Sequence, residues 1–162
     1  MNGSSAAGFS SNRILNILSE EDFAAIGSSL EEVDMPQSFI MARAERPIDY
    51  VYFPSSGFGS VMVVGENGRR AEAGMFGREG FTPVAAGVGD DRSIYEIVMQ
   101  AHGGGHRVPI RTLSNAVVAR PKFAAVLARF THVFAAQVAY TALSNATGHV
   151  DRRLGQFDED RT

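Results

Sequence analysis

The spacing of apolar residues divides the chain into three parts with different periodicities. Near the start, Ser19 precedes three acidic residues and the apolar positions up to Ile26. This pattern predicts a short helix, because Ser19 can cap it and acidic side chains suit the positive end of its dipole. From about residue 30 to residue 110, short runs of β-branched and aromatic residues alternate with turn residues, which is typical of antiparallel strands. The predicted strands are 38–41, 50–53, 58–64, 71–76, 94–99 and 106–110.

The dipeptide Asn67-Gly68 lies between two of these runs and is the strongest hairpin signal in the chain. Both residue types tolerate the positive φ angles that a two-residue hairpin turn requires. Several short strands at near-regular spacing favour an antiparallel barrel, roll or sandwich. We therefore predict one mainly β domain with flanking helices over residues 12–120, preceded by a flexible Gly/Ser-rich tail at 1–11.

The last third of the chain predicts a long helix over residues 121–148, because Pro121 is a favoured first helical residue and apolar positions recur at helical spacing. About 26 uninterrupted residues give roughly 39 Å of helix, which is more than a small roll can cover. We expect one part of this helix to pack on the β domain and another to pair with a second copy of the chain. Residues 149–162 are predicted to form a polar tail. The residues predicted at the dimer interface are Phe123, Val126, Leu127, Phe130, Val133, Phe134 and Gln137.

Composition excludes several classes of protein. The net charge of −3 and the pI near 5.8 argue against a surface that binds nucleic acid throughout. The absence of cysteine excludes a disulfide scaffold, a thiolate zinc site and a cysteine nucleophile. We see no signal peptide and no apolar stretch of the roughly 18–20 residues that span a bilayer. We expect a cytoplasmic protein that binds neither membrane nor DNA by itself.

The histidines do not have the spacing of a metal-dependent enzyme. His102 and His106 flank a triple glycine, whereas His132 and His149 lie far along the predicted helix. No H-x-H, H-E-x-x-H or G-x-S-x-G motif is present, so we predict no catalytic residue, no metal and no enzymatic activity. A cupin-like metal enzyme that uses His102 and His106 is the weakest alternative.

A glycine-rich stretch from Gly74 to Ser93 is the candidate ligand site. Glycines at 74, 77 and 80 allow bare backbone amides to approach an anion, and the fork of Arg92 suits a phosphate or carboxylate. A short helical turn between 83 and 86 would point its amides at the same place. From the residues alone, a purely structural connection between strands is an equal alternative.

Three phrases in this order resemble one branch of the Crp/Fnr-type bacterial transcription regulators. They are Y-V-Y-F-P-S-S-G at 50–57, G-R-E-G at 77–80 and Q-V-A-Y-T-A-L-S-N-A at 137–146. The resemblance covers about 12–154. It implies the sensor half of such a regulator, which is a cyclic-nucleotide-binding-like antiparallel β-roll (a jelly-roll-like, double-stranded β-helix) followed by a long dimerisation helix.

The resemblance also implies a set of pocket residues. In nucleotide-binding relatives a Gly-Glu pair holds the ribose and an Arg-Ser pair holds the cyclic phosphate. Glu79 and Arg92-Ser93 take these places here, and we expect Arg92 to point inward and to pair with Glu79. The stretch between them is longer than the family's cassette, and Val138-Ala139 offers a purine no hydrogen bond. A cyclic nucleotide is therefore a doubtful cofactor. The predicted pocket residues are Gly77, Glu79, Gly80, Phe81, Arg92, Ser93, Val138 and Thr141.

The sequence thus predicts a non-enzymatic ligand-sensing regulatory domain that forms a homodimer and binds a small anionic effector. The alternative is a dimerisation module with a vestigial pocket that pairs with full-length regulators. Relatives continue after the long helix into a winged helix-turn-helix, whereas this sequence ends soon after Leu154. We expect a stand-alone sensor without the DNA reader.

Overall fold

The computed structural model describes residues 11–159, with side chains described over 11–148. The predicted mainly β architecture, with flanking helices and a long C-terminal helix, is confirmed. The tail predicted at 1–11 lies outside the described residues except for Ser11. The helices are α1 Arg13–Ile17, α2 Glu20–Gly27, α3 Ile110–Ala119 and α4 Pro121–Glu159, with a 3-10 helix at Val84–Val88.

The strands form three antiparallel sheets, with orders β1-β9-β4, β2-β8-β5-β6 and β3-β7. Their bounds are β1 Glu31–Met35, β2 Ile40–Ala42, β3 Arg46–Pro47, β4 Tyr50–Pro54, β5 Phe58–Val64, β6 Arg70–Phe76, β7 Arg92–Ser93, β8 Glu96–Ala101 and β9 Gly103–Pro109. The Asn67-Gly68 hairpin is confirmed: β5 pairs with β6, and Gly68 adopts a φ of 76° in the turn.

Strand β4 separates two hydrophobic cores. Because successive side chains of a strand point to opposite faces, Val51 and Phe53 pack beneath the helices, whereas Tyr52 points into the roll. Helix α4 contributes to both cores. Its Phe123 and Leu127 belong to the helix-side core, and Phe134 belongs to the core inside the roll.

Several elements differ from the prediction. Strand β9 contains most of the predicted strand 106–110 but begins earlier, within the triple glycine at 103–105. Glycine is required there because the backbone of β4 and the following turn approach closely; a Cβ on Gly105 would lie 2.8 Å from the Cα of Pro54. Helices α1 and α3 and strands β1, β3 and β7 were not predicted. In β1 the charged sequence hides the pairing with β9.

Helix α4 has 39 residues and continues to Glu159, the last described residue, so the predicted end of the helix at residue 148 is wrong. Residues 149–159 of the predicted polar tail are helical. A single glycine inside a helix costs only about 1 kcal/mol, and Gly148 therefore does not end it. The segment Pro121–Gly148 also corrects the expectation that no stretch suits a membrane: its length and composition would allow it to cross one. One such helix is weak evidence for a membrane span, because some helices of soluble proteins have the same length and composition.

Arg120 fixes the junction between α3 and α4. Its Nε donates to Oδ1 of the buried Asp22 at 2.5 Å, and its Nη2 donates to Oε2 of Glu21 at 2.9 Å. The predicted cap of α2 is confirmed: Ser19 Oγ accepts from the backbone amide of Asp22, so the cap also holds Asp22 in position. The hydrogen bond from Arg120 holds the pKa of Asp22 below its ordinary value, in spite of the opposing effect of burial.

We expect Arg120→Met to lower the urea midpoint at pH 7, because it leaves the Asp22 carboxylate buried without its cation. A carboxyl whose pKa is depressed by folding stabilises the protein above its unfolded pKa, and this contribution disappears as the pH falls through the folded pKa. The difference between the two proteins should therefore shrink below about pH 4. The control, Arg111→Met on the exposed side of α3, should leave the urea midpoint unchanged at both neutral and acid pH. A difference that stays constant from neutral to acid pH would contradict this account.

Candidate functional site

The loop 77–80 is held between α1 and α4. The side-chain amide of Asn12 donates to the carbonyl oxygens of Pro54, at 2.8 Å, and Gly80, at 2.7 Å. Asn12 also caps α1, because its Oδ1 accepts from the amide of Leu15. On the other side, Gly80 is buried against the ring of Phe130. Sequence reasoning missed Asn12, although an asparagine directly before an apolar helical run is a recognised start signal.

The structure corrects the predicted orientation of Arg92. Its side chain is exposed, and its Nη1 donates to the backbone carbonyl of Glu45 at 2.9 Å. The cause is the short β3–β7 ladder, in which Pro47 pairs with Arg92 and Arg46 pairs with Ser93. Strand alternation then turns Ser93 inward and Arg92 outward. Arg92 therefore does not face the loop 77–80.

Glu79 lies in a different place from Arg92. It is exposed and lines an open depression of about 450 Å³ together with Gly77 and the long-helix residue Gln137. No Glu79–Arg92 ion pair is present among the described residues. The predicted pairing of Arg92 with Glu79 is therefore wrong.

The remaining predicted pocket residues are also separated. Phe81 is fully buried in the helix-side core, where its ring centroid lies 5.3 Å from that of Phe130. Thr141 donates to the carbonyl of Gln137 within its own helix, at 3.0 Å. Ser93 and Val138 come together at the cavity described next, which is separate from the depression that Gly77 and Glu79 line.

A cavity of about 330 Å³ lies between the 3-10 helix, the β7–β8 connection and α4. Ser93 is buried in its wall, with its Oγ donating to the carbonyl of Tyr95 at 2.7 Å and accepting from the Tyr95 amide. Tyr95 packs edge-on against Phe134, with the ring centroids 6.4 Å apart. The lining residues are Pro83, Val84, Ala85, Val88, Asp90, Ser93, Ile94, Tyr95, Thr131, Phe134, Ala135 and Val138.

The charge of this cavity differs from that of an anion site. No arginine, lysine or histidine is among the described residues that line it, and its one carboxylate belongs to the exposed Asp90. The Oδ1 of Asp90 accepts from the backbone amide of Arg92 at 3.1 Å. A phosphate placed here would meet no cation.

The predicted dimer interface is also corrected. Phe123, Leu127 and Phe134 are buried within their own chain and are not available to a second copy. Val126 and Phe130 are half-buried, and the Oε1 of exposed Gln137 accepts from the amide of Met75 at 3.0 Å. The apolar positions do belong to one helix, but they extend around much of its circumference. The side that carries Phe123, Leu127 and Phe134 packs against the rest of the same chain.

A second apolar stripe remains exposed on α4. Val133, Tyr140 and Leu143 are exposed by 59%, 72% and 64%. Together with the exposed Ala136 they are separated alternately by three and four residues along the helix. This spacing is that of the contact positions of a coiled coil. We name these four residues the exposed stripe.

The histidines are not gathered into a metal site. His102 contacts the carboxylate of Asp34 at 2.7 Å on the surface, while desolvation lowers the pKa of His106. Within the part of the chain that the structure describes, no group of three or more potential metal ligands occurs. The cupin-like alternative therefore finds no support in those residues.

Comparison with known proteins identifies the fold. No protein-family model matches the sequence, and no curated protein matches it. Among solved structures, the c-di-GMP-responsive global regulator CLP of Xanthomonas campestris is similar, with a TM-score of 0.64 and 14% identity over 83% of this chain and 70% of that one. The sensor domain of the transcriptional regulator DNR from Pseudomonas aeruginosa has a TM-score of 0.61 and 10% identity over 82% and 91% of the two chains.

A third similar structure is the regulatory subunit of a cAMP-independent protein kinase A from Trypanosoma cruzi, bound to guanosine. Its TM-score is 0.65 and its identity 12%, over 89% of this chain and 48% of that one. The chain thus spans about half the length of this kinase subunit. The similarities confirm the fold that the resemblance implied: the chain has the β-roll and long helix of the sensor domains of Crp/Fnr-type regulators.

We expect cyclic AMP and cyclic GMP to bind with a Kd above about 10 μM, which corresponds to less than roughly 7 kcal/mol of binding free energy. The reason is that Arg92 is held on the Glu45 carbonyl, away from any cavity wall that a nucleotide would occupy. Calorimetry with both nucleotides measures this directly. Tight binding that is lost in Arg92→Ala, but kept in the control Arg111→Ala, would show that the guanidinium does reach a ligand.

Proposed function

We propose that the chain is a non-enzymatic, cytoplasmic sensor domain that forms a homodimer through α4 and responds to a small molecule in the 330 Å³ cavity. The observation that carries this proposal is the composition of the cavity wall. The roll contributes Ser93 and Tyr95, and α4 contributes Thr131 and Val138. A molecule in this cavity therefore contacts the sensing domain and the dimerisation helix at once.

The exposed stripe supports the homodimer. Beyond Phe134 only a few described side chains of α4 are even half-buried, so most of the rest of the helix lies clear of the roll. A helix without tertiary contacts is only marginally stable in water. Pairing the stripe with that of a second copy would bury Val133, Tyr140 and Leu143 and supply the missing contacts.

We assign the exposed stripe to a partner helix rather than to a bilayer. Lipid would have to surround the segment, whereas Phe123, Leu127 and Phe134 fix one side of it against the roll. Such a segment can expose only its remaining side. One free apolar side suits one partner helix.

The cavity and the stripe occupy opposite sides of the same helix. Residues two positions apart on an α-helix point about 200° away from each other. Thr131 of the cavity wall is two positions from Val133 of the stripe, and Val138 is two positions from Tyr140. A ligand that displaces α4 from the roll therefore changes the geometry of the dimer without contacting the partner chain. Such a change is a shift in the populations of two positions of α4 relative to the roll.

We expect the double change Val133→Glu and Tyr140→Glu to raise the dimer dissociation constant at least about a hundredfold, which is roughly 2.7 kcal/mol. The carboxylates of the two copies would be desolvated next to each other in the seam, which is costly because like charges repel. Size-exclusion chromatography with light scattering measures the molar mass. The matched control, Ala128→Glu with Ala142→Glu, places the same charges on exposed positions outside the stripe and should leave the dimer intact. An unmodified protein that is monomeric at tens of micromolar would contradict the proposal.

Filling the cavity tests the sensing role. Ala135 lies at the mouth of the cavity, and Ala128 lies one heptad earlier on an exposed part of α4. We expect Ala135→Trp to mimic an occupant and to change the dimer dissociation constant by about tenfold or more, with Ala128→Trp as the unchanged control. Analytical ultracentrifugation gives both constants. Equal constants for the two variants would favour the alternative function, a dimerisation module with a vestigial pocket.

A further inference from the structure

We propose that the cavity between the 3-10 helix and α4 binds an uncharged, largely apolar molecule that carries a single hydrogen-bond donor, such as an aryl amine, a phenol or an indole. This inference rests on the proposed function, because it names the class of ligand for the same cavity. It replaces the anionic effector that the sequence predicted.

The walls and the mouth of the cavity are apolar. Its inner wall is formed by side chains such as Val84, Phe134 and Val138. At its mouth two large apolar side chains remain exposed, Val88 by 67% and Ile94 by 57%. They lie on the two sides of the turn that follows the 3-10 helix, and nothing in the described chain covers them. An apolar ligand would remove this surface from water, at roughly 25 cal/mol per Å².

The polar groups of the wall favour a ligand that donates. The hydroxyl of Ser93 already donates to the Tyr95 carbonyl, and that of Thr131 donates to the Leu127 carbonyl at 2.9 Å. Each hydroxyl proton is therefore in use, and what remains is the capacity of the oxygens to accept. The carboxylate of Asp90 also only accepts. Apart from the phenol of Tyr95, the polar side chains of the wall thus offer acceptors, and a phosphate or carboxylate would meet no cationic side chain among the described lining residues.

The volume sets the size of the ligand. At about 330 Å³ the cavity lies at the lower end of the range of about 300–1,000 Å³ that is usual for small-molecule sites. This space suits two joined aromatic ring systems or a short branched chain. A second copy of the chain does not compete for it, because the exposed stripe points to the opposite side of α4.

N-phenyl-1-naphthylamine is a suitable probe, since it is uncharged, has two aromatic ring systems joined by one N–H donor and becomes fluorescent in apolar surroundings. We expect saturable binding of one probe per chain to the full-length protein, with a Kd of about 10 μM or below. Ala135→Trp should weaken binding at least about tenfold, and Ala128→Trp should leave it unchanged. A large excess of cyclic AMP or inorganic phosphate should not displace the probe.

The absence of saturable binding, or displacement of the probe by cyclic AMP or phosphate, would overturn this inference. Equal binding by the Ala135→Trp and Ala128→Trp proteins would also overturn it, because the probe would then lie on other apolar surface. So would binding only by the Val133→Glu, Tyr140→Glu monomer, because a second copy of the chain would then fill the cavity. If Ala135→Trp does not fold by circular dichroism, Val138→Phe fills the same space. The effect of Ala135→Trp on dimerisation is measured without any probe. The ligand class can therefore fail while the proposed sensor function stands.

Discussion

The rotation of α4 about its own axis is the constraint on which the rest of the structure depends. Its buried side chains serve two cores at once: Phe123 and Leu127 complete the core beneath the helices, and Phe134 completes the core inside the roll. A helix anchored at two places in different cores cannot turn without opening one of them, because protein interiors are close-packed. This fixed rotation decides which residues of α4 face the cavity and which face solvent.

Polar contacts hold the elements around this helix, although they contribute little apolar burial. Arg120 ties the start of α4 to α2 through Asp22 and Glu21. Asn12 ties the loop 77–80 to the end of β4, so that Gly80 stays against Phe130. Buried polar groups of this kind are costly when a partner is removed and therefore specify one arrangement of the backbone.

The sequence predicted what local signals determine. Ser19 caps α2, Asn67-Gly68 makes the hairpin, and the helical spacing after Pro121 marks α4. The site could be predicted only in part, because it depends on contacts between distant residues. The orientation of Arg92 follows from the pairing of β7 with β3, and the sequence Arg46-Pro47 carries no strand pattern that would reveal this pairing. Likewise, periodicity identified the apolar residues of α4 but could not separate those that face the roll, such as Leu127, from those that face solvent.

The arrangement of the cavity and the exposed stripe has a thermodynamic consequence for the proposed sensor function. The cavity and the exposed stripe lie on opposite sides of one helix, so binding at one can affect binding at the other although the two share no residue. The coupling requires only that α4 can adopt two positions relative to the roll. Coupling between two binding events is reciprocal, so a ligand that strengthens dimerisation by some factor must itself bind the dimer more tightly by the same factor. The two cores limit how far α4 can move. Val138 packs against the roll core and also lines the cavity, so a ligand in the proposed site would contact α4 where the helix meets the roll.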